Sequence, residues 1–201
     1  PAAITVIDRD MIEASGAMTI PDVLRLVPGF QVGHIDGHRS TVAYHGVTDA
    51  YARRMQVLVD GRSVYTPAFG GVLWADLPLA IEDIERIEVI RGPNGVTYGA
   101  NAFSAVINIV TRHTSLDQGV FVKYTRGDID TRRGLMRYGG TSGDLSYRMT
   151  LGYQEDSGFA NRPDNKQVGL ATFRGDYQAT PKDALEIQFG YNAGPRGKGR
   201  V

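Results

Sequence analysis

The residues of this chain best suited to chemistry stand in Gly33-His34-Ile35-Asp36-Gly37-His38-Arg39, where His34, Asp36 and His38 recur at every second position. In an extended segment that spacing puts side chains on one edge, and two imidazoles with a carboxylate are the beginning of a divalent-metal site. No fourth ligand stands nearby, and histidines of a polar loop face water as readily, so neither metal nor cofactor is assigned. Gly92-Pro93-Asn94-Gly95 follows a strand-like run. A phosphate loop needs a helix behind it and a Lys-Ser/Thr pair, whereas Tyr98-Gly99 follows here, so a structural turn is expected. Asp76, Glu82, Asp83 and Glu85 read as solvated charges, because nothing recognisable desolvates or orients an acid pair among them. There is no His-Glu-x-x-His, no Gly-x-Ser-x-Gly and no cysteine. The chain is read as a non-enzyme.

Composition narrows the classes further. Of the 201 residues, 22 are basic and 22 acidic, so the formal charge is zero and no basic excess points to nucleic acid. No segment approaches the run of about 18 apolar residues that a membrane helix needs. The most apolar stretch, Ala105 to Val110, is short and interrupted by Asn108. Any signal peptide is expected upstream or removed, since Pro1-Ala2-Ala3 carries no such pattern. Gly194-Pro195-Arg196-Gly197-Lys198-Gly199-Arg200 reads as the start of a surface loop, with only a weak signal for phosphate or lipopolysaccharide.

The elements that must position these residues follow two grammars. To about Arg112 the chain mixes short strands and helices. Ile4 to Ile7 is strand-like and a helical turn starts near Asp8. Thr19 is placed to cap a helix whose apolar face is Ile20, Val23, Leu24 and Val27, and Pro28-Gly29 ends it. Gln56 to Val59, a tight turn at Asp60-Gly61 and Arg62 to Tyr65 predict a hairpin. Glu85 to Arg91 and Val106 to Thr111 predict further strands, the last apolar enough for burial on both faces.

Beyond that point the period is two. Leu145, Tyr147, Met149, Leu151 and Tyr153 alternate with polar or small neighbours, as do Leu185, Ile187, Phe189 and Tyr191. Val120, Val122 and Tyr124 form a third such row, and 131–140 and 167–178 are weaker members. Five strands of about 10 residues, with tyrosines near their ends, have the length and edges of tilted membrane strands. A soluble antiparallel meander shows the same alternation. The turns at Thr141-Ser142-Gly143 and Thr180-Pro181-Lys182 are tight while Asp156 to Lys166 is long, the asymmetry of outer-membrane barrels.

The runs Ile84-Glu85-Arg86-Ile87-Glu88-Val89-Ile90-Arg91-Gly92-Pro93, Tyr98-Gly99-Ala100-Asn101-Ala102 and Val106-Ile107-Asn108-Ile109-Val110-Thr111 resemble the plug of TonB-dependent outer-membrane receptors. Leu24-Arg25-Leu26-Val27-Pro28-Gly29-Phe30, Tyr44-His45-Gly46 and Leu58-Val59-Asp60-Gly61 occur in the order of that family's elements. Two departures stand out: His45 where the family commonly has Arg, and Ala105 where it usually has Gly.

The resemblance implies an α+β plug domain over 1–112, followed over 113–201 by the first about five antiparallel β-strands of an incomplete outer-membrane β-barrel. It implies a transport receptor for a scarce nutrient complex of the ferric siderophore, haem or cobalamin class. TonB would be engaged through an upstream box, outer-membrane lipid would be the solvent, and the plug would be reached from the periplasm. Plug apices at Gly33 to Arg39 and Tyr65 to Trp74 would touch the ligand, through His34, Asp36, His38, Arg39, Tyr65, Phe69 and Trp74. Trp74 reads equally as a core residue beneath its loop. His45, Arg86, Glu88 and Arg91 would make polar contacts with the barrel wall, the last three alternating with Ile87, Val89 and Ile90. The rival reading is a free-standing soluble binding or adaptor domain, disfavoured because the sheet would be left with open edges.

Overall fold

The computed structural model describes residues 3–46, 51–93, 95–99, 101–128 and 130–197. Asn94, Ala100 and Lys198 to Arg200, which figure in the motifs above, lie outside them. The chain divides into two compact units, the first comprising 1–35, 39–77 and 81–111, the second 36–38, 78–80 and 112–201.

In the first unit β1 (Ala3–Asp8) leads into α1 (Arg9–Ser15), whose N-cap Asp8 accepts a hydrogen bond from Met11 N at 2.9 Å. The helix ends at Gly16, where φ is +65°, a torsion glycine adopts without cost. Thr19 caps α2 (Ile20–Leu24) as its position predicts, accepting from Asp22 N at 3.3 Å, and Ile20, Val23, Leu24 and Val27 are all buried.

The strands β2 (Phe30–His34) and β3 (Ser40–Tyr44) then pair as a hairpin that the sequence reading treats only as loop. β4 (Met55–Val59) turns at Asp60-Gly61 into β5 (Arg62–Ser63), shorter than predicted. Both turn residues have positive φ, 48° and 78°, the requirement of a type I′ hairpin. β6 (Ile84–Arg91) and β7 (Ala105–Thr111) complete a sheet of order β1-β6-β7-β4-β5.

Among the described residues only β4 and β7 run parallel, and the centre of this sheet carries the core: Ile7, Val57, Ile87, Val89, Ile107 and Ile109 are buried on one face. Leu58, Ala102 and Val106 form a smaller cluster with Ile90. β7 is thus covered on both sides over much of its length, as its apolar run requires. Ala105 is fully buried in this strand. Asp60 ties the turn to β7, accepting from Thr111 N at 2.8 Å and Thr111 Oγ1 at 2.7 Å. A single helical turn, α3 (Gly95–Tyr98), follows Gly92-Pro93, where only a turn was expected.

The second unit is a meander of β8 (Gly119–Arg126), β9 (Arg132–Ser142), β10 (Leu145–Asp156), β11 (Lys166–Gln178) and β12 (Ala184–Ala193), each antiparallel to the next. These are the five strands the alternation predicts. Opposed pairs such as Val120 and Tyr138, Tyr138 and Met149, Met149 and Phe173, and Phe173 and Phe189 carry one exposed apolar row across the sheet. The alternate row holds Arg137, Arg148, Thr150 and Arg174, all buried. Apolar out and polar in is the reverse of a soluble sheet with a greasy core, and it is the pattern of a wall that faces lipid.

Candidate functional site

The predicted apex residues separate when placed on the fold. His34 ends β2 and turns toward α2, with Nε2 at 3.7 Å from Asp22 Oδ1 and 3.3 Å from Arg25 Nη2. Its Nδ1 lies 3.2 Å from Ser40 Oγ across the hairpin. Asp36 and His38 belong instead to the second unit, where Asp36 is 1% exposed. The Asp36 carboxylate accepts from His38 N at 3.2 Å and stands 3.4 Å from His38 Nδ1. Among the described residues no group of three or more His, Cys, Asp or Glu is placed to hold a metal ion. Period two did not bring the three together, because β2 ends at His34 and the chain turns through Asp36. Asp36 is spent on the turn and offers little surface, while Arg39 is exposed.

The second predicted apex has a different architecture. Thr66 N donates to Gly71 O at 2.8 Å and closes a loop whose tip displays Phe69, 50% exposed. Phe69 stacks on Tyr51 with ring centroids 6.0 Å apart and an interplanar angle of 21°. The Arg53 guanidinium lies 5.9 Å above the Tyr51 ring. Gly71 allows this approach, for a Cβ there would lie 2.5 Å from Tyr51 Cβ and 3.1 Å from its Cα. Tyr51 was missed from sequence because it lies outside any periodic run, although an aromatic beside Arg53-Arg54 was a signal. Trp74 is 8% exposed and supports the loop as a core residue, so the aromatic surface on display is that of Tyr65, Phe69 and Tyr51.

The charged residues of β6 divide between its two faces. Strand parity puts Arg86, Glu88 and Ile90 on one face and Ile87, Val89 and Arg91 on the other. Arg86 and Glu88 share a face as expected, but Ile90 shares it with them, and Arg91, half-buried, lies on the face of Ile87 and Val89. Arg91 Nη1 donates to Pro28 O at 3.3 Å, at the end of the α2 segment. Glu88 accepts from Arg86 Nε at 2.7 Å and, across the strand pair, from Asn108 Nδ2 at 3.0 Å. The Asn108 hydrogen bond first, and then the Arg86 hydrogen bond and charge, hold the Glu88 carboxyl below its ordinary range against the opposing effect of burial. His45 has φ of 43°, is exposed, and packs edge-on against Tyr44 at 4.3 Å.

A further polar site, unforeseen in the sequence, lies in 112–118. Asp117 sits between three guanidinium groups: Arg148 Nη1 at 2.6 Å, Arg112 Nε at 3.1 Å and Arg137 Nη2 at 3.3 Å. Three residues earlier, Thr114 donates through N at 3.1 Å and Oγ1 at 2.7 Å to Asp176, which also pairs with Arg174. The segment leading into β8 is thereby pinned to β9, β10 and β11.

Residues 1–106 match the family described as TonB-dependent Receptor Plug Domain. A vitamin B12 transporter BtuB of Vibrio vulnificus is 36% identical over 128 residues, 63% of this chain and 20% of the relative. BtuB of Vibrio cholerae is 32% identical over 163 residues, 81% of this chain and 26% of the relative. An iron-regulated outer membrane virulence protein of Vibrio cholerae is 30% identical over 212 residues, covering 98% of this chain and 32% of the relative. This chain thus spans between a fifth and a third of their lengths. The fold is also that of the pyoverdine receptor FpvA of Pseudomonas aeruginosa, with TM-score 0.76 and 21% identity over 96% of this chain and 27% of that one. The ferric-catecholate receptor Fiu of E. coli gives TM-score 0.73 and 20% identity over 95% and 27%.

Proposed function

Since this chain belongs to the TonB-dependent receptor family, with a plug fold followed by antiparallel wall strands, we propose that it is part of an outer-membrane transporter for a scarce nutrient complex. In this reading 1–112 is the plug and 113–201 the opening of the barrel, and the chain performs no chemistry on its cargo. The observation that carries it is the sheet of the second unit. Its outer row is continuously apolar while arginines are buried in the alternate row, an arrangement stable against lipid and unstable in water. This weighs against a free-standing soluble domain, which would bury the apolar row.

The cargo belongs to the cobalamin or ferric-chelate class, the two classes that the relatives' names record. Phe69, Tyr65 and Tyr51 offer flat apolar surface to such a chelate, and His34 and Arg39 offer exposed polar groups. Arg86 and Glu88 provide polar contacts toward a hydrated wall. Such contacts bind less irrevocably than an apolar interface, which suits a plug that must shift. Energy would come through TonB, gripping a segment upstream of this chain.

The test is uptake by cells whose own receptors have been deleted, expressing the full-length gene and supplied with labelled cyanocobalamin, haem or a panel of ferric siderophores. Accumulation of one of these, abolished by a protonophore and by deletion of TonB, is expected. Binding and uptake of none of them would overturn the reading.

A further inference from the structure

In the second unit the tripeptide Asp36-Gly37-His38 meets the loop between β10 and β11 through main-chain groups of Gly37. Gly37 N donates to Asp164 Oδ2 at 2.8 Å, and Gly37 O accepts from Lys166 Nζ at 3.2 Å. One partner, Asp164, lies within the loop, and the other, Lys166, opens β11 at its end. Asp164 is fully buried, and its other oxygen accepts from Phe159 N at 2.8 Å. Lys166 pairs with Asp156 at 3.0 Å, the two side chains being 15% and 7% exposed.

The fit leaves no room for a side chain. A Cβ on Gly37 would lie 2.7 Å from Asp164 O and 3.1 Å from Gly158 Cα, and one on Gly158 would lie 2.0 Å from Asp164 Oδ1. A buried carboxylate and a half-buried ammonium thus hold both polar groups of one peptide residue 127 and 129 positions away in the chain. A contact made to the backbone fixes the tip whatever its side chains are doing.

We propose that Asp164 and Lys166 are positioning residues: together they clasp Gly37, so that the Asp36–His38 tip and the β10–β11 loop are released or held as one unit. The purpose of the clasp rests on the reading of this tip as ligand-facing. Its existence does not, because it is measured in the ligand-free receptor while the transport reading is measured by uptake. The two fail separately.

The experiment is amide hydrogen exchange of the full-length receptor in detergent or nanodiscs, comparing Asp164→Asn, Lys166→Met and Lys166→Arg with the parent, and taking amides of β9 and β10 as the control for folding. A hydrogen bond to a buried charge is strong enough that its loss changes local opening about tenfold or more. Asp164→Asn is expected to speed exchange at Gly37 and Phe159 together by at least that factor. Lys166→Met is expected to speed exchange at Gly37 and along 158–163, and Lys166→Arg to restore most of the protection. Faster exchange at Phe159 with Gly37 unchanged would make Asp164 a staple of its own loop only and overturn the clasp. So would Lys166→Arg behaving no better than Lys166→Met. This second pair of variants decides the matter should Asp164→Asn fail to fold.

Discussion

Arg148 Nη1 donates to Asp117 Oδ2 at 2.6 Å, with the carboxylate fully enclosed and the guanidinium 5% exposed. The same nitrogen reaches Arg112 O at 2.9 Å, so one side chain holds both ends of the segment that enters β8. A carboxylate so placed is the counter-charge on which its buried cations depend. Asp117→Ala leaves those charges uncompensated and is expected to cost about 3–5 kcal/mol. Leu116→Ala, at a side chain 59% exposed, is expected to stay within about 0.5 kcal/mol. Urea unfolding of the complete receptor compares the two. Equal midpoints would show that the cluster is ornamental.

The same segment sets a requirement on β9. A Cβ on Gly139 would stand 1.7 Å from Asp117 O and 2.7 Å from its carbonyl carbon, whereas one on Gly134 of the same strand would meet nothing within 4 Å. Gly139→Ala must therefore displace the segment or the strand, at about 1–3 kcal/mol or more. Gly134→Ala is expected to be neutral or slightly stabilising. Thermal unfolding of the two variants in the intact receptor checks the contrast, and a neutral Gly139→Ala would deny the close approach.

Glu88 gives a pH signature. Its folded pKa lies below the ordinary 4.5, so its contribution to stability is present above the unfolded value and is lost as pH falls through the folded one. Asn108→Ala removes the largest cause of that lowering. The loss should then begin at a higher pH than in the parent. Amide exchange of β6 and β7 in the receptor, followed downward from pH 5, reads this directly. Parent and variant loosening at the same pH would mean that the Asn108 hydrogen bond does not act on Glu88.

What the sequence made legible was whatever repeats with a short period or closes within a turn. Thr19 and Asp8 cap their helices from three residues away, and Asp60-Gly61 carries its own turn type. Of the five meander strands, β10 and β12 announce themselves because apolar and polar rows alternate, while β9 and β11 show the pattern only weakly. The β2–β3 hairpin was hidden because Gly33, His34 and Asp36 drew attention as a polar loop, although Val32 and Val42 stand opposed at its centre. Arg91 was put on the wrong face by reading charge rather than parity. Asp117, Asp164 and Gly37 could not be found, since their meaning lies in partners 20 to 129 residues distant. A buried aspartate looks like a solvated one until the chain is folded.

The face that turns outward can be tested for what it touches. Phe189 stands mid-strand in β12 and is 67% exposed, while Leu185 lies near the start of the same strand and is 53% exposed, both in one row. In water, arginine at either position would be a surface substitution of little consequence, and nothing would distinguish the two. In a bilayer the cost depends on depth, about 2–4 kcal/mol for arginine at the midplane and about 0–1 kcal/mol near the interface. Phe189→Arg is therefore expected to destabilise the complete receptor folded in lipid vesicles by several-fold more than Leu185→Arg does. The measurement is reversible denaturant unfolding in those vesicles. Two small and equal effects would place this row in water, and the membrane assignment of the sheet would fall with them.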